Sequence, residues 1–83
     1  MNIMEPIYTF NGQDITMLVC ILIRDITHEI SKKEKISFPD ALKRFCSSDT
    51  YRILQNTETV LWAEPVGYIA DMYFAEKGIH EES

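Results

Sequence analysis

Ile15-Thr16-Met17-Leu18-Val19-Cys20-Ile21-Leu22-Ile23-Arg24-Asp25-Ile26-Thr27-His28-Glu29-Ile30 decides the fold. Taken alone, the apolar run Met17 to Ile23 could be a strand. The longer pattern settles it. Ile15, Val19, Leu22, Ile26 and Ile30 recur at spacings of four, three, four and four, the period of a helix with one buried face. Leu18 and Ile23 widen that stripe. A first helix is therefore expected from about Asp14 to Ser31, with Asp14 as its N-cap or first-turn acid. The charged run Ser31-Lys32-Lys33-Glu34-Lys35 ends it, its cations matching the negative end of the helix dipole.

Working outward, Ser37-Phe38-Pro39-Asp40 marks the second helix. Ser37 caps, and Pro39 suits a first turn that has no use for its missing N–H. Phe38, Leu42, Phe45 and Cys46 form its apolar face. Ser47-Ser48-Asp49 is a break and a new cap. A short third helix, about Asp49 to Gln55, sets Tyr51, Ile53 and Leu54 against the core. Val60-Leu61-Trp62 reads equally as a helical turn or an extended stretch. The last helix begins near Pro65, with Val66, Ile69, Met72 and Tyr73 facing one way. Gly78 ends it as a C′ residue. Residues 1–13 form an irregular arm broken by Pro6 and Gly12, which packs on the core or reaches a partner. Residues 79–83 fray. The expected fold is all-α: one helical domain over 14–78, with two longer and two short helices.

Size and composition agree with this. The 83 residues allow one domain, and 46% hydrophobic with 25% charged residues is an ordinary globular balance. Only three glycines and three prolines argue against a turn-rich β fold. The longest apolar run is far short of the about 20 residues a membrane span needs. The N-terminus lacks the basic region of a signal peptide. A cytoplasmic protein with no membrane association is expected.

The net charge of −5 disfavours nucleic acid as a partner. The charge is uneven, however. Residues 24–52 hold seven basic and five acidic side chains, while the rest holds Lys77 against eight acids. A small helical DNA-binding regulator using segment 32–52, with Lys43, Arg44 and Arg52 on phosphates, is thus the alternative reading. No helix carries a row of Arg, Asn and Gln aimed at base edges.

Catalysis finds no support in the residues. Gly12, Gly67 and Gly78 are isolated, so no glycine-rich phosphate loop exists. Cys20 and Cys46 lie 26 residues apart in apolar helical patterns, and His28 and His80 are scattered, so no metal or cofactor site is expected. The cysteines are expected to be buried reduced thiols, with a disulfide between packed helices as the other reading. Asp25 and Glu29 share a face without completing a cation site. No small-molecule substrate is evident, and the protein is expected not to be an enzyme.

Binding has more support. Met17, Ile21, Arg24 and His28 form a second stripe on the first helix, away from the core stripe. Either the N-terminal arm covers it, or it meets a partner, which could be another protein or a second copy in a homodimer. The aromatic group Trp62, Tyr68, Tyr73 and Phe74 is a further candidate surface, Tyr68 and Phe74 lying off the expected core face of the last helix, with packing in the core or at its edge as the favoured reading of the group.

The order Val19-Cys20-Ile21-Leu22-Ile23, then Ile36-Ser37-Phe38-Pro39-Asp40-Ala41-Leu42-Lys43-Arg44-Phe45, Tyr51-Arg52-Ile53-Leu54, Leu61-Trp62 and Tyr68-Ile69-Ala70-Asp71-Met72-Tyr73 resembles a family of small uncharacterised bacterial helical domains. Their genes often lie beside those of ADP-ribosyltransferase-like toxins. The resemblance covers about residues 15–77 and rests mostly on core spacing. It implies an accessory or antitoxin-like role, binding and silencing a neighbouring protein, and it carries over no catalytic residue.

Overall fold

The computed structural model describes residues 7–78. The expected fraying tail and the first six residues of the arm lie outside the described residues. Helix α1 spans Thr16–Glu34, α2 Phe38–Cys46, α3 Asp49–Gln55 and α4 Val66–Glu76. Two 3₁₀ turns, Thr57–Thr59 and Leu61–Ala63, link α3 to α4. The chain is mostly helical but not all-α. Strands β1 (Thr9–Phe10) and β2 (Gln13–Asp14) pair antiparallel, Thr9 opposite Asp14 and Phe10 opposite Gln13. The helices grade from 19 to 11, 9 and 7 residues, so the expected division into two long and two short is too coarse.

The hairpin replaces the irregular arm over its described part. Asn11 and Gly12 both have positive φ, 51° and 80°, as a two-residue type I′ turn requires. Asn-Gly is the commonest sequence for that turn, and it was the available signal. The hairpin is fastened at both ends. The Ile15 N–H donates to the Tyr8 carbonyl at 2.8 Å, and the Tyr8 N–H to Thr16 Oγ1 at 2.8 Å. Asp14 does not cap α1 in the expected way. The residue at the N-cap is Ile15, and Asp14 Oδ1 accepts from the Thr16 N–H at 2.9 Å.

Helix α1 runs one turn further than Ser31 and closes at Lys35, which is left-handed at φ 57°. The N–H groups of Lys35 and Ile36 both reach the Ser31 carbonyl, and Ser31 Oγ donates to the Ile36 carbonyl at 2.6 Å. These bonds satisfy carbonyls that a helix end leaves open. The corner delivers the chain to Ser37, whose Oγ accepts from the Asp40 N–H at 3.2 Å and caps α2 as expected. Ser48 then joins α2 to α3. It donates to the Phe45 carbonyl at 2.6 Å and accepts from the Tyr51 N–H at 3.1 Å.

Leu22, Ile26 and Ile30 of α1 pack with Ala41, Phe45, Leu54, Leu61, Ile69, Ala70, Tyr73 and Phe74 in one core. Phe45 meets Tyr51 and Tyr73 edge-on, with ring centroids 5.4 and 6.0 Å apart. That geometry sets the positive edge of one ring against the negative face of the next. Thr27 is also fully buried, its hydroxyl bonded to the Ile23 carbonyl at 2.6 Å. Leu18 and Ile53, placed on core faces by their spacing, are exposed. So are Cys20 and Cys46, which are free thiols and neither buried nor joined. Val60, left open by the sequence, is left-handed at φ 60°, and Leu61 and Trp62 belong to a 3₁₀ turn.

Candidate functional site: the outer face of α1

Burial of Val19, Leu22, Ile26 and Ile30 fixes the rotation of α1. The opposite side therefore carries Met17, Ile21, Arg24 and His28, spaced four, three and four and all exposed. Met17 is 74% exposed and Ile21 38%, with Leu18 beside them at 41%. Cys20 completes an apolar patch over the first half of the helix. Arg24 continues it, its Nε donating to Asp25 Oδ1 at 3.0 Å. His28 lies against Phe38 of α2, ring centroids 4.8 Å apart. A groove of about 400 Å³ runs beside the patch, lined by Asp14, Thr16, Met17 and Cys20.

The described part of the arm leaves this stripe uncovered. Its contacts are directed elsewhere. Tyr8 is buried, and its hydroxyl accepts from Gln55 Nε2 at 2.8 Å. Thr57 Oγ1 donates to the Thr9 carbonyl at 2.8 Å, and Phe10 sits on Trp62 with centroids 5.2 Å apart. The hairpin thus braces α3 and the 3₁₀ turns.

The second candidate surface divides. Tyr68 is 54% exposed on α4. Phe74 is not a surface residue: it is 8% exposed, part of the core, and edge-on to Tyr73 at 5.6 Å, with Lys33 Nζ 5.3 Å from its ring centre. Helix α4 is apolar on most sides, so its period could not choose which adjacent pair of stripes turns inward. The pair containing Ala70 and Phe74 does so alongside Ile69 and Tyr73.

The basic segment does not present a free row of cations. Arg44 pairs with Glu34, and Arg52 with Asp49. Lys43 and Arg44 line a groove of about 590 Å³ with Glu34, Ser47, Tyr73 and Lys77. Asp25 and Glu29 each face a cation, Arg24 and Lys32. Among the described residues no group of three or more His, Cys, Asp or Glu side chains is placed to hold a metal ion. Although Cys46 is exposed, the protein groups around its thiol desolvate it enough to push it up, against a hydrogen bond with Tyr51 that favours the thiolate. Burial pushes Tyr51 itself to about 12. A thiol so shifted is a poor nucleophile at neutral pH. No helix among the described residues is long and apolar enough to cross a membrane.

One polar arrangement had no local signal in the sequence. Glu76, at the end of α4, reaches the start of α3. Its Oε2 accepts from the Asp49 N–H at 2.7 Å, and its Oε1 from the Thr50 N–H at 2.9 Å and the Thr50 hydroxyl at 2.8 Å. These donors lie 26 and 27 residues away in sequence, so only the tertiary fold joins them.

Compared with family models, with curated proteins and with solved structures, the chain matches none.

Proposed function

We propose that the protein is a non-catalytic protein–protein interaction module of a bacterial cytoplasm, docking through the outer face of α1. Met17, Ile21, Arg24 and His28 form the contact stripe, and Tyr68 on α4 is an accessory contact. The observation that carries this reading is the exposure of Met17, Leu18 and Ile21 on a helix whose other side is fully packed. Water-exposed apolar side chains set together are what a binding surface needs, and Met adapts its shape to a partner. Arg24 and His28 supply a polar rim. The family resemblance adds an accessory, antitoxin-like role, in which the module silences its partner by covering it. The net charge of −5 favours encounter with a basic partner. Pairing of Arg44 and Arg52 with acids speaks against the DNA-regulator alternative, since each cation would have to leave an acid to reach phosphate.

Ile21→Glu tests the reading. The expected result is a thermal melting curve within a few degrees of wild type, with loss of whatever protein the wild type captures from nuclease-treated host lysate. An unfolded Ile21→Glu variant would show that the side chain belongs to the monomer's own packing and would remove this site.

A further inference from the structure

The groove where the ends of α1, α2 and α4 meet gathers polar groups that the fold does not use. Glu34 comes from the last turn of α1, Lys43, Arg44 and Ser47 from the end of α2, and Tyr73 and Lys77 from the end of α4. Glu34 and Arg44 cancel one another. They meet at 2.5 Å, and only 10% of the Glu34 side chain is exposed. What remains is positive. Lys43 and Lys77 are exposed, and neither has an ion pair among the described residues. Lysines in a last helical turn ordinarily serve the open carbonyls there. Here the Lys43 carbonyl takes the N–H and hydroxyl of Ser47, and the Tyr73 carbonyl takes the Lys77 N–H. Neither ammonium group is needed for them. Lys77 Nζ lies 5.7 Å from the Tyr73 ring centre, at the edge of the groove.

Tyr73 is the second observation. It is 1% exposed, yet its hydroxyl has no hydrogen-bond partner among the described residues. Buried hydroxyls are nearly always bonded, and an unpartnered one calls for a group from outside the chain. Burial pushes its pKa up, so it stays a donor, and the charges of Glu34 and Arg44 act on it, which puts it on the groove side of its ring. The groove thus offers three donors: two ammonium groups and the Tyr73 hydroxyl. It also offers two acceptors. These are the second Glu34 oxygen and Ser47 Oγ, whose own proton is on the Lys43 carbonyl.

We propose that this groove binds a small phosphorylated polyol or sugar, its phosphoryl group held by Lys43, Lys77 and Tyr73 and its hydroxyl groups donating to Glu34 and Ser47. A phosphoryl dianion matches the two uncancelled charges, and bonds between ionised groups are the strong ones. Arg44 stays on Glu34 and fixes the carboxylate. The volume of about 590 Å³ falls within the range of small-molecule sites and exceeds what a bare phosphate fills. The net charge of −5 repels polyanions such as nucleic acid or an anionic membrane at long range, so the phosphate comes on a small molecule. The groove lies at the opposite end of α1 from Met17 and Ile21, and the proposal does not depend on that docking face.

Isothermal titration calorimetry of the full chain with glycerol phosphate, at constant ionic strength, tests it. Saturable binding with a Kd at or below about 1 mM is expected. Lys43→Gln and Lys77→Gln should each weaken it at least about fivefold, the loss of one charge-assisted hydrogen bond. Tyr73→Phe should weaken it too, without lowering the melting temperature of the protein alone, because the hydroxyl has no partner there to lose. Circular dichroism melts confirm that each variant is folded; the two lysines, on exposed sites, serve if Tyr73→Phe disturbs the core. Inorganic phosphate should bind more weakly, and citrate not measurably. An absence of saturation up to about 20 mM would overturn the inference, as would binding indifferent to both lysine changes. Citrate bound as tightly as glycerol phosphate would overturn recognition of phosphate. Inorganic phosphate bound as tightly would overturn the hydroxyl contacts to Glu34 and Ser47.

Discussion

Glu76 shows how much a single side chain can fasten in a domain of this size. A helix begins with N–H groups that have no partner inside the helix. In α3 the Ser48 hydroxyl takes the Tyr51 N–H, and the Glu76 carboxylate takes those of Asp49 and Thr50. An anion is also favoured at that end by the helix dipole. Because Glu76 comes from α4, the same bonds that cap α3 also pin the end of α4 to it. Glu76→Ala should lower the unfolding free energy by about 1 kcal/mol, the typical loss when a capping group is removed, read as a lower urea midpoint with unchanged m-value. The pH dependence has a definite sign. Burial opposes the charge of Glu76, but the bonds from Asp49 and Thr50 outweigh it and hold the folded-state pKa below the ordinary 4.5. The unfolded chain thus binds the proton first as pH falls. The contribution is complete above 4.5 and is lost as pH drops through the lower folded value. Wild type and Glu76→Ala should accordingly converge in stability as pH falls through that window. A constant difference down to acid pH would show that the carboxylate's charge is not what holds α3.

At the scale of elements, what could be read from sequence was what depends on neighbours along the chain. The four-three-four-four period of α1, the Ser37 and Ser48 caps, the bounds of α3 and Gly78 beyond α4 are all local, and all are present. The Asn11-Gly12 turn is equally local, and reading Gly12 as a simple break misses it. Other features needed the third dimension. Phe74 turned inward because α4 offers several apolar stripes and the packing partner chooses among them. Cys20 and Cys46 face outward because the apolar patterns around them are wider than the surfaces that cover them. Val60 could not be assigned because its conformation is one a β-branched residue resists. It is left-handed, between a bond from its N–H to the Thr57 carbonyl and one from the Ala63 N–H to its own carbonyl. The left-handed conformation costs an L-residue about 1–2 kcal/mol, and glycine gives back about 0.5–1 kcal/mol in chain entropy. Val60→Gly should therefore stabilise the protein by up to about 1 kcal/mol, measured by the same urea titration. A loss of stability would mean that the half-covered valine side chain is worth more to the packing than its backbone costs.

For the molecule as a whole, the question is whether the hairpin is an appendage or part of the folding unit. A chain of this length buries only about 60–65% of its unfolded surface, so few contacts can be spared. The hairpin's contacts are spread over most of the helical part. Tyr8 reaches Gln55 of α3, Thr9 the Thr57 turn, Phe10 the Trp62 ring, and the backbone of Tyr8 the start of α1. Trp62 in turn donates from Nε1 to the Thr57 carbonyl at 2.9 Å and packs against the core that α1, α2 and α4 share. The only tryptophan therefore reports on the hairpin, while circular dichroism reports on the helices. If the two form one cooperative unit, Trp62 fluorescence and the helical signal should lose native structure at the same urea concentration, with one m-value. Phe10→Ala should move both curves together to lower urea by an amount equivalent to about 1–2 kcal/mol, within the range of ordinary packing losses. A Trp62 transition well ahead of the helical one would make the hairpin a separately opening flap. The outer face of α1, whose first turn follows directly on the second strand, would then change its neighbour at that end whenever the flap opened. Coincident curves make that face as rigid as the core beneath it, and a rigid face loses less freedom when it binds.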